Sequence, residues 1–75
     1  MRLRVTRSAR KHGIGNARIL AAMADAGDPV RDGDALVYIG RDDRGVELEI
    51  VAVPDNRRPG NLAVIHAMPT DWRTK

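Results

Sequence analysis

A change in hydrophobic period near Pro29 constrains this chain more than any other feature. Before it, "ARILAAMADA" places Ile19, Leu20, Met23 and Ala24 at helical spacing. Apolar residues three and four apart share one helix face, and the alanines favour the helix further. Gly15 or Asn16 opens this segment, Gly27 ends it and Pro29 follows, the usual order past a helix C-terminus. After Pro29 the period becomes that of strands. "ALVYIGR" (35–41) is rich in β-branched and aromatic residues, and "DDRG" (42–45) reads as a hairpin turn with Gly45 at positive φ. In "VELEIVAV" (46–53), Val46, Leu48 and Ile50 alternate with Glu47 and Glu49 before both faces turn apolar. That pattern predicts a central strand, covered by helix on one face and partly wet on the other. "PDNRRPGN" (54–61) is a polar loop, and "LAVIHA" (62–67) is a third strand stopped by Pro69.

Upstream, "RLRV" (2–5) alternates charged and apolar residues as a short half-buried strand does. Thr6 can cap a short helix over Arg7–His12, which Gly13 stops. The expected order is β-α-α-β-β-β. This is an α+β fold with a short N-terminal strand, two helices and then a three-stranded antiparallel meander, the helices packed on one face. The opposite sheet face is left for a ligand or partner. Residues 1–75 form one small domain on this reading.

The core has to be aliphatic, because the only aromatic residues are Tyr38 and Trp72, and there is no cysteine for a disulfide or thiolate metal site. A chain this short buries only about 60% of its unfolded surface, so a second copy or a partner protein is expected to cover part of it. No apolar run approaches the roughly 20 residues of a membrane span, and no signal-peptide pattern is present. A soluble, cytoplasmic protein with no membrane association follows as the expectation.

Charge is unevenly spread. Met1–Arg18 holds Arg2, Arg4, Arg7, Arg10, Lys11 and Arg18 with no acid, whereas Asp and Glu gather between Asp25 and Glu49. Arg57, Arg58, Arg73 and Lys75 make the last third basic again. A basic end invites an anionic partner, with RNA or DNA the usual ones; general solubility is the plainer explanation.

Two histidines far apart in sequence, without cysteine, match no zinc spacing, and the two carboxylates of "DDRG" belong to a turn. No phosphate-loop pattern occurs, and Ser8, the only serine, suits a cap. Acid–base and electrostatic chemistry remains. RNA cleavage by its own 2′-hydroxyl needs a base, an acid and cations, but no cofactor. Histidine suits either proton role, and lysine and arginine suit the charge. Arg10, Lys11, His12 and His66 are the right residue types. Each histidine also has a structural role open to it: His12 at the carbonyl end of a helix, and His66, in phase with Leu62 and Val64, as a strand-end residue bonded to the backbone.

"SARKHGI" opening a helix, the "YIGRDDRGVELEIVAV" hairpin and the final "VIHAMP" strand together resemble small toxins of bacterial toxin–antitoxin pairs, the RelE/BrnT-like superfamily. The likeness runs in order over nearly the whole chain. It implies a metal-independent endoribonuclease that cuts mRNA, free or on the ribosome, and a cognate antitoxin that blocks it. Lys11 and His12 match the "KHG" element. Arg57, Arg58 and Arg73 stand in the loop and tail where such toxins often hold phosphate-contacting arginines. The chain departs from the family in being shorter, in lacking a developed C-terminal helix and in having few aromatics to stack a base. Catalytic roles are thus expected of His66, His12 and Lys11, and RNA contacts of Arg7, Arg10, Arg57, Arg58 and Arg73. The rival is a non-enzymatic RNA- or partner-binding module of the same fold. The two histidines form one site if the last strand returns beside the first.

Overall fold

The computed structural model describes residues 3–74, with side chains through Trp72. The strand-like segments pair into one five-stranded mixed sheet in the order β1-β5-β4-β3-β2. Its strands are β1 (Leu3–Val5), β2 (Val30–Asp32), β3 (Ala35–Arg41), β4 (Glu47–Pro54) and β5 (Leu62–Pro69). One α-helix, α1 (Asn16–Ala26), packs against β3 and β4. Short 3-10 turns occupy Ser8–Arg10 and Thr70–Thr74. No helix among the described residues is long and apolar enough to cross a membrane.

The expected two helices and three-stranded meander are therefore corrected to one helix and five strands. The meander exists, as β3-β4-β5, but inside a larger sheet. Arg7–His12 does not form an α-helix. Its backbone bonds are Ala9 N–H to Thr6 O, Arg10 N–H to Arg7 O and Lys11 N–H to Ser8 O, each three residues back. A segment this short gains too few bonds to offset helix nucleation, and the turn tightens to 3-10 instead. The strand missed is β2. Its three residues are all exposed, so no apolar pattern marks it. It forms because Asp32 and Ala35 pair across a two-residue turn, which brings Val30–Asp32 against β3. The sheet is antiparallel throughout except where β1 lies parallel to β5, with Leu3 opposite Leu62 and Val5 opposite Val64.

β4 is the central strand, as its pattern predicts. Leu48, Ile50 and Ala52 are fully buried beneath the helix, together with Ile19, Ala22 and Val64. Full burial of an Ile, Leu or Val side chain contributes on the order of 1.5–3 kcal/mol. The helix presents a slightly different face from the one expected. Ile19 and Ala22 are buried and Met23 packs against the core, but Leu20 is 47% exposed and Ala24 is also in solvent. Gly40 on β3 decides this rotation. A Cβ there would collide with the carbonyl oxygen of Ala22 and lie 2.8 Å from the amide nitrogen of Ala26. The helix backbone thus rests directly on the strand through its alanine side. Asp25 fixes the contact by accepting the Arg41 N–H at 2.8 Å.

Two buried carboxylates brace the loops. Asp42 accepts from Arg18 Nε at 2.6 Å and from the Arg44 and Val46 N–H groups at 2.8 and 2.9 Å. It ties α1 to the β3–β4 hairpin. Asp55 takes a two-pronged bond from Arg4, at 3.1 and 3.2 Å, and the Arg57 N–H at 3.0 Å. It ties β1 to the β4–β5 loop.

Candidate functional site at the two histidines

Thr6 sets the geometry on which the site depends. Its N–H and its hydroxyl both donate to the carbonyl of Val64, at 3.0 and 2.8 Å, and its hydroxyl oxygen accepts the Ala9 N–H at 3.3 Å. Thr6 was expected to cap a helix; the N-cap position of the 3-10 turn is Arg7, and the Thr6 hydroxyl instead bonds into the turn at Ala9 and fastens it to β5. Ala9, wholly buried, and Ile14, nearly so, then anchor the segment on either side of His12. Gly13 between them takes φ 79°, a region an L side chain rarely adopts, and lets the chain reverse toward α1. Arg7, Arg10 and Lys11 are left exposed on this turn, with His12 half-buried.

The position of His66 rests on an irregularity in β5. Ala52 pairs with Val64, but Val51 pairs with His66, so Ile65 is an extra residue in the ladder. Without this bulge, His66 would stand in phase with Val64 and face the helix. With it, His66 shares the opposite face with Val51 and Glu49, because cross-strand partners lie on one side of a sheet. The expected phase with Leu62 and Val64 is thus corrected. His66 Nε2 lies 3.4 Å from Glu49 Oε1, with the two side chains 34% and 14% exposed. This is an ion pair when the imidazole is protonated.

The two imidazoles meet. Their ring centroids are 6.1 Å apart at an interplanar angle of 82°. Trp72, from the last 3-10 turn, makes a T-shaped contact with His12, the centroids 5.3 Å apart and the planes at 89°. The structure therefore gathers His12, His66, Glu49 and Trp72, with Lys11 adjacent to His12 in the chain. The structural role envisaged for His12 at a helix end lapses with the helix, and His66 faces a carboxylate. Glu49 and Trp72 were not among the expected site residues. Glu49 reads in sequence as a wet-face strand residue, and only the register through the bulge puts it beside His66.

The remaining arginines do not join this group. Arg57 and Arg58 are exposed in the β4–β5 loop, at the Leu62 end of β5. His66 stands four positions along β5 from that end, about 13 Å at the usual rise. The side chain of Arg73 lies outside the described residues, as do Arg2 and Lys75. Arg4 and Arg18 are engaged with Asp55 and Asp42, so among the described residues of the basic end Arg7, Arg10 and Lys11 are the exposed cations. Two surface clefts among the described residues are lined by other side chains. One, about 330 Å³, is lined by Arg41, Glu47, Thr70 and neighbours; the other, about 260 Å³, by Arg4, Asp55, Arg58 and neighbours.

Burial and hydrogen bonds act in opposite senses on the two structural carboxylates, and the bonds prevail. At Asp42, burial pushes the carboxyl pKa up, but bonds from Val46, Arg18 and Arg44 outweigh that and hold it below the usual carboxylate range. At Asp55 the Arg4 guanidinium and the Arg57 N–H lower it against the effect of burial. Arg4 is correspondingly raised by its bond to Asp55. No family model, curated protein or solved structure matches this chain.

Proposed function

We propose that this protein cleaves RNA without a metal, as the toxin of a toxin–antitoxin pair acting in the cytoplasm. The observation that carries the reading is the 6.1 Å separation of the His12 and His66 rings. A phosphodiester flanked by a general base and a general acid needs a hydrogen bond of about 3 Å to the attacking oxygen and another to the leaving oxygen. The accepting and the donating nitrogen serving one phosphate then stand roughly 6–9 Å apart. One imidazole accepts the 2′-hydroxyl proton, and the other, protonated, supplies one to the departing 5′-oxygen. The P–O5′ bond breaks as the P–O2′ bond forms, and a 2′,3′-cyclic phosphate results. Glu49 Oε1, 3.4 Å from His66 Nε2, orients that imidazole beside His12. Lys11, Arg7 and Arg10 supply cations on the same turn for the phosphate backbone.

The toxin assignment itself rests on the sequence resemblance. An antitoxin, or a second copy of the chain, is the proposed cover for exposed apolar side chains such as Ile39, Ile65 and Val30, the last 69% exposed on the edge strand β2.

A second reading has its own support. The edge-to-face contacts among His12, His66 and Trp72 also pack the C-terminal turn onto the sheet, as they would in a binding module with no catalysis. Cleavage of a defined RNA by His12→Ala and His66→Ala, each with a thermal melt, separates the two. The nuclease reading expects each variant to lose ~10²–10⁴-fold in rate while staying folded, with a bell-shaped pH profile in the parent protein. Full activity in both variants sinks it.

A further inference from the structure

Trp72 is the only tryptophan in the chain, and the residue is 51% exposed. A large aromatic surface in water costs free energy unless something covers it in use. Its position is not arbitrary. The contact with His12 holds the ring beside the histidine pair, and the turn that carries it packs against β4 and β5. The exposed cations Arg7, Arg10 and Lys11 come from the same segment as His12. An open aromatic surface beside a cationic turn is the combination by which proteins hold single-stranded nucleic acid. The cations follow the phosphates, and the ring takes an unstacked base. A duplex cannot present a base face in this way.

We propose that Trp72 is a nucleobase-stacking platform, and that the ligand of this site is single-stranded RNA with one base laid on the indole next to the His12–His66 pair. This deepens the RNA-directed reading and rests on it. Stacking immobilises the nucleotide beside the imidazoles, so the phosphate attached to it is the one presented to them. Because every base has a π-face, the platform alone gives little sequence preference. Trp72 is a binding residue here, separate from the proton transfers.

The test uses the full chain and a short RNA with 2′-O-methyl ribose throughout, which removes the attacking hydroxyl and leaves binding intact. Tryptophan fluorescence reports only Trp72. The expected result is saturable quenching by the single strand and little by the same sequence as a duplex. In filter binding, Trp72→Ala should lose ~5–100-fold in affinity, whereas Trp72→Phe, which keeps a stacking ring, stays within a few-fold of the parent. If Trp72→Ala proves unfolded by thermal melt, Trp72→Phe and the quenching decide. Unchanged affinity in folded Trp72→Ala, equal binding of duplex, or no binding of single strands overturns the proposal. Unmodified RNA separates the two claims. Quenching without cleavage leaves the platform standing and removes the nuclease, and cleavage without a Trp72 effect does the reverse.

Discussion

Val64 and His66 lie two residues apart on β5 yet face opposite sides of the sheet. Val64 pairs with Ala52 over the core and His66 with Val51 on the far face, because Ile65 is an extra residue between them. That single residue releases His66 from the core and turns it toward Glu49 and His12.

Deleting Ile65 should therefore be tolerated. A deletion within a strand normally flips every later side chain to the wrong face. Here it converts the bulge to a regular ladder and keeps His66 opposite Val51 and Ala67 opposite Ile50. The expected loss of stability is about 1 kcal/mol. Deleting Ala67 instead should abolish cooperative unfolding, since it moves Met68 and Pro69 out of phase. Thermal melts of the two deletions compare them directly, and equal damage from both would contradict the register.

Thr6→Val removes the hydroxyl that bonds both Val64 O and the Ala9 N–H. Both side-chain bonds are lost, while the Thr6 N–H bond to Val64 remains. Denaturant unfolding should show a loss of roughly 1–2 kcal/mol. If the nuclease reading holds, RNA cleavage should fall further than stability does, since His12 is placed by this turn.

Gly40→Ala should destabilise by about 3 kcal/mol, at the upper end of overpacking costs, because backbone of α1 rather than a side chain fills the space. The same substitution at Gly15, where a Cβ meets nothing, is the control and should stay within about 1 kcal/mol.

Acid should unfold the protein through Asp42 and Asp55. Both carboxyls have folded pKa values below the ordinary carboxylate value of about 3.9. A depressed folded pKa contributes stability that is fully present above the unfolded value. It is lost as pH falls through the folded one. Stability should thus be flat with respect to these groups near neutrality and decline below about pH 4. Asp55→Asn and Asp42→Asn should each be less stable at neutral pH and show a shallower acid decline. An acid decline as steep in both variants as in the parent would assign it to other groups.

Local sequence determined much of the scaffold. The α1 segment, the β3–β4 hairpin with Gly45 at φ 79°, and the central place of β4 all follow from periodicity and turn chemistry. These signals act over a few residues, so a linear reading captures them. The residue types of the site, His12 and His66 above all, were legible for the same reason. Tertiary structure decided the rest. A three-residue exposed strand such as β2 has no apolar pattern and exists only through its pairing. The helix face was chosen by the fit of Ala22 and Ala26 over Gly40, a contact between distant segments. The six basic residues of the N-terminal end look alike in sequence, but two of those described, Arg4 and Arg18, are bound to buried carboxylates, and Arg7, Arg10 and Lys11 face water. The site itself is of this second kind. Parallel pairing of β1 with β5 brings the first and last strands together, and the bulge at Ile65 selects the face of His66. Sequence periodicity cannot encode either one, because each depends on which strand becomes the neighbour and in what register.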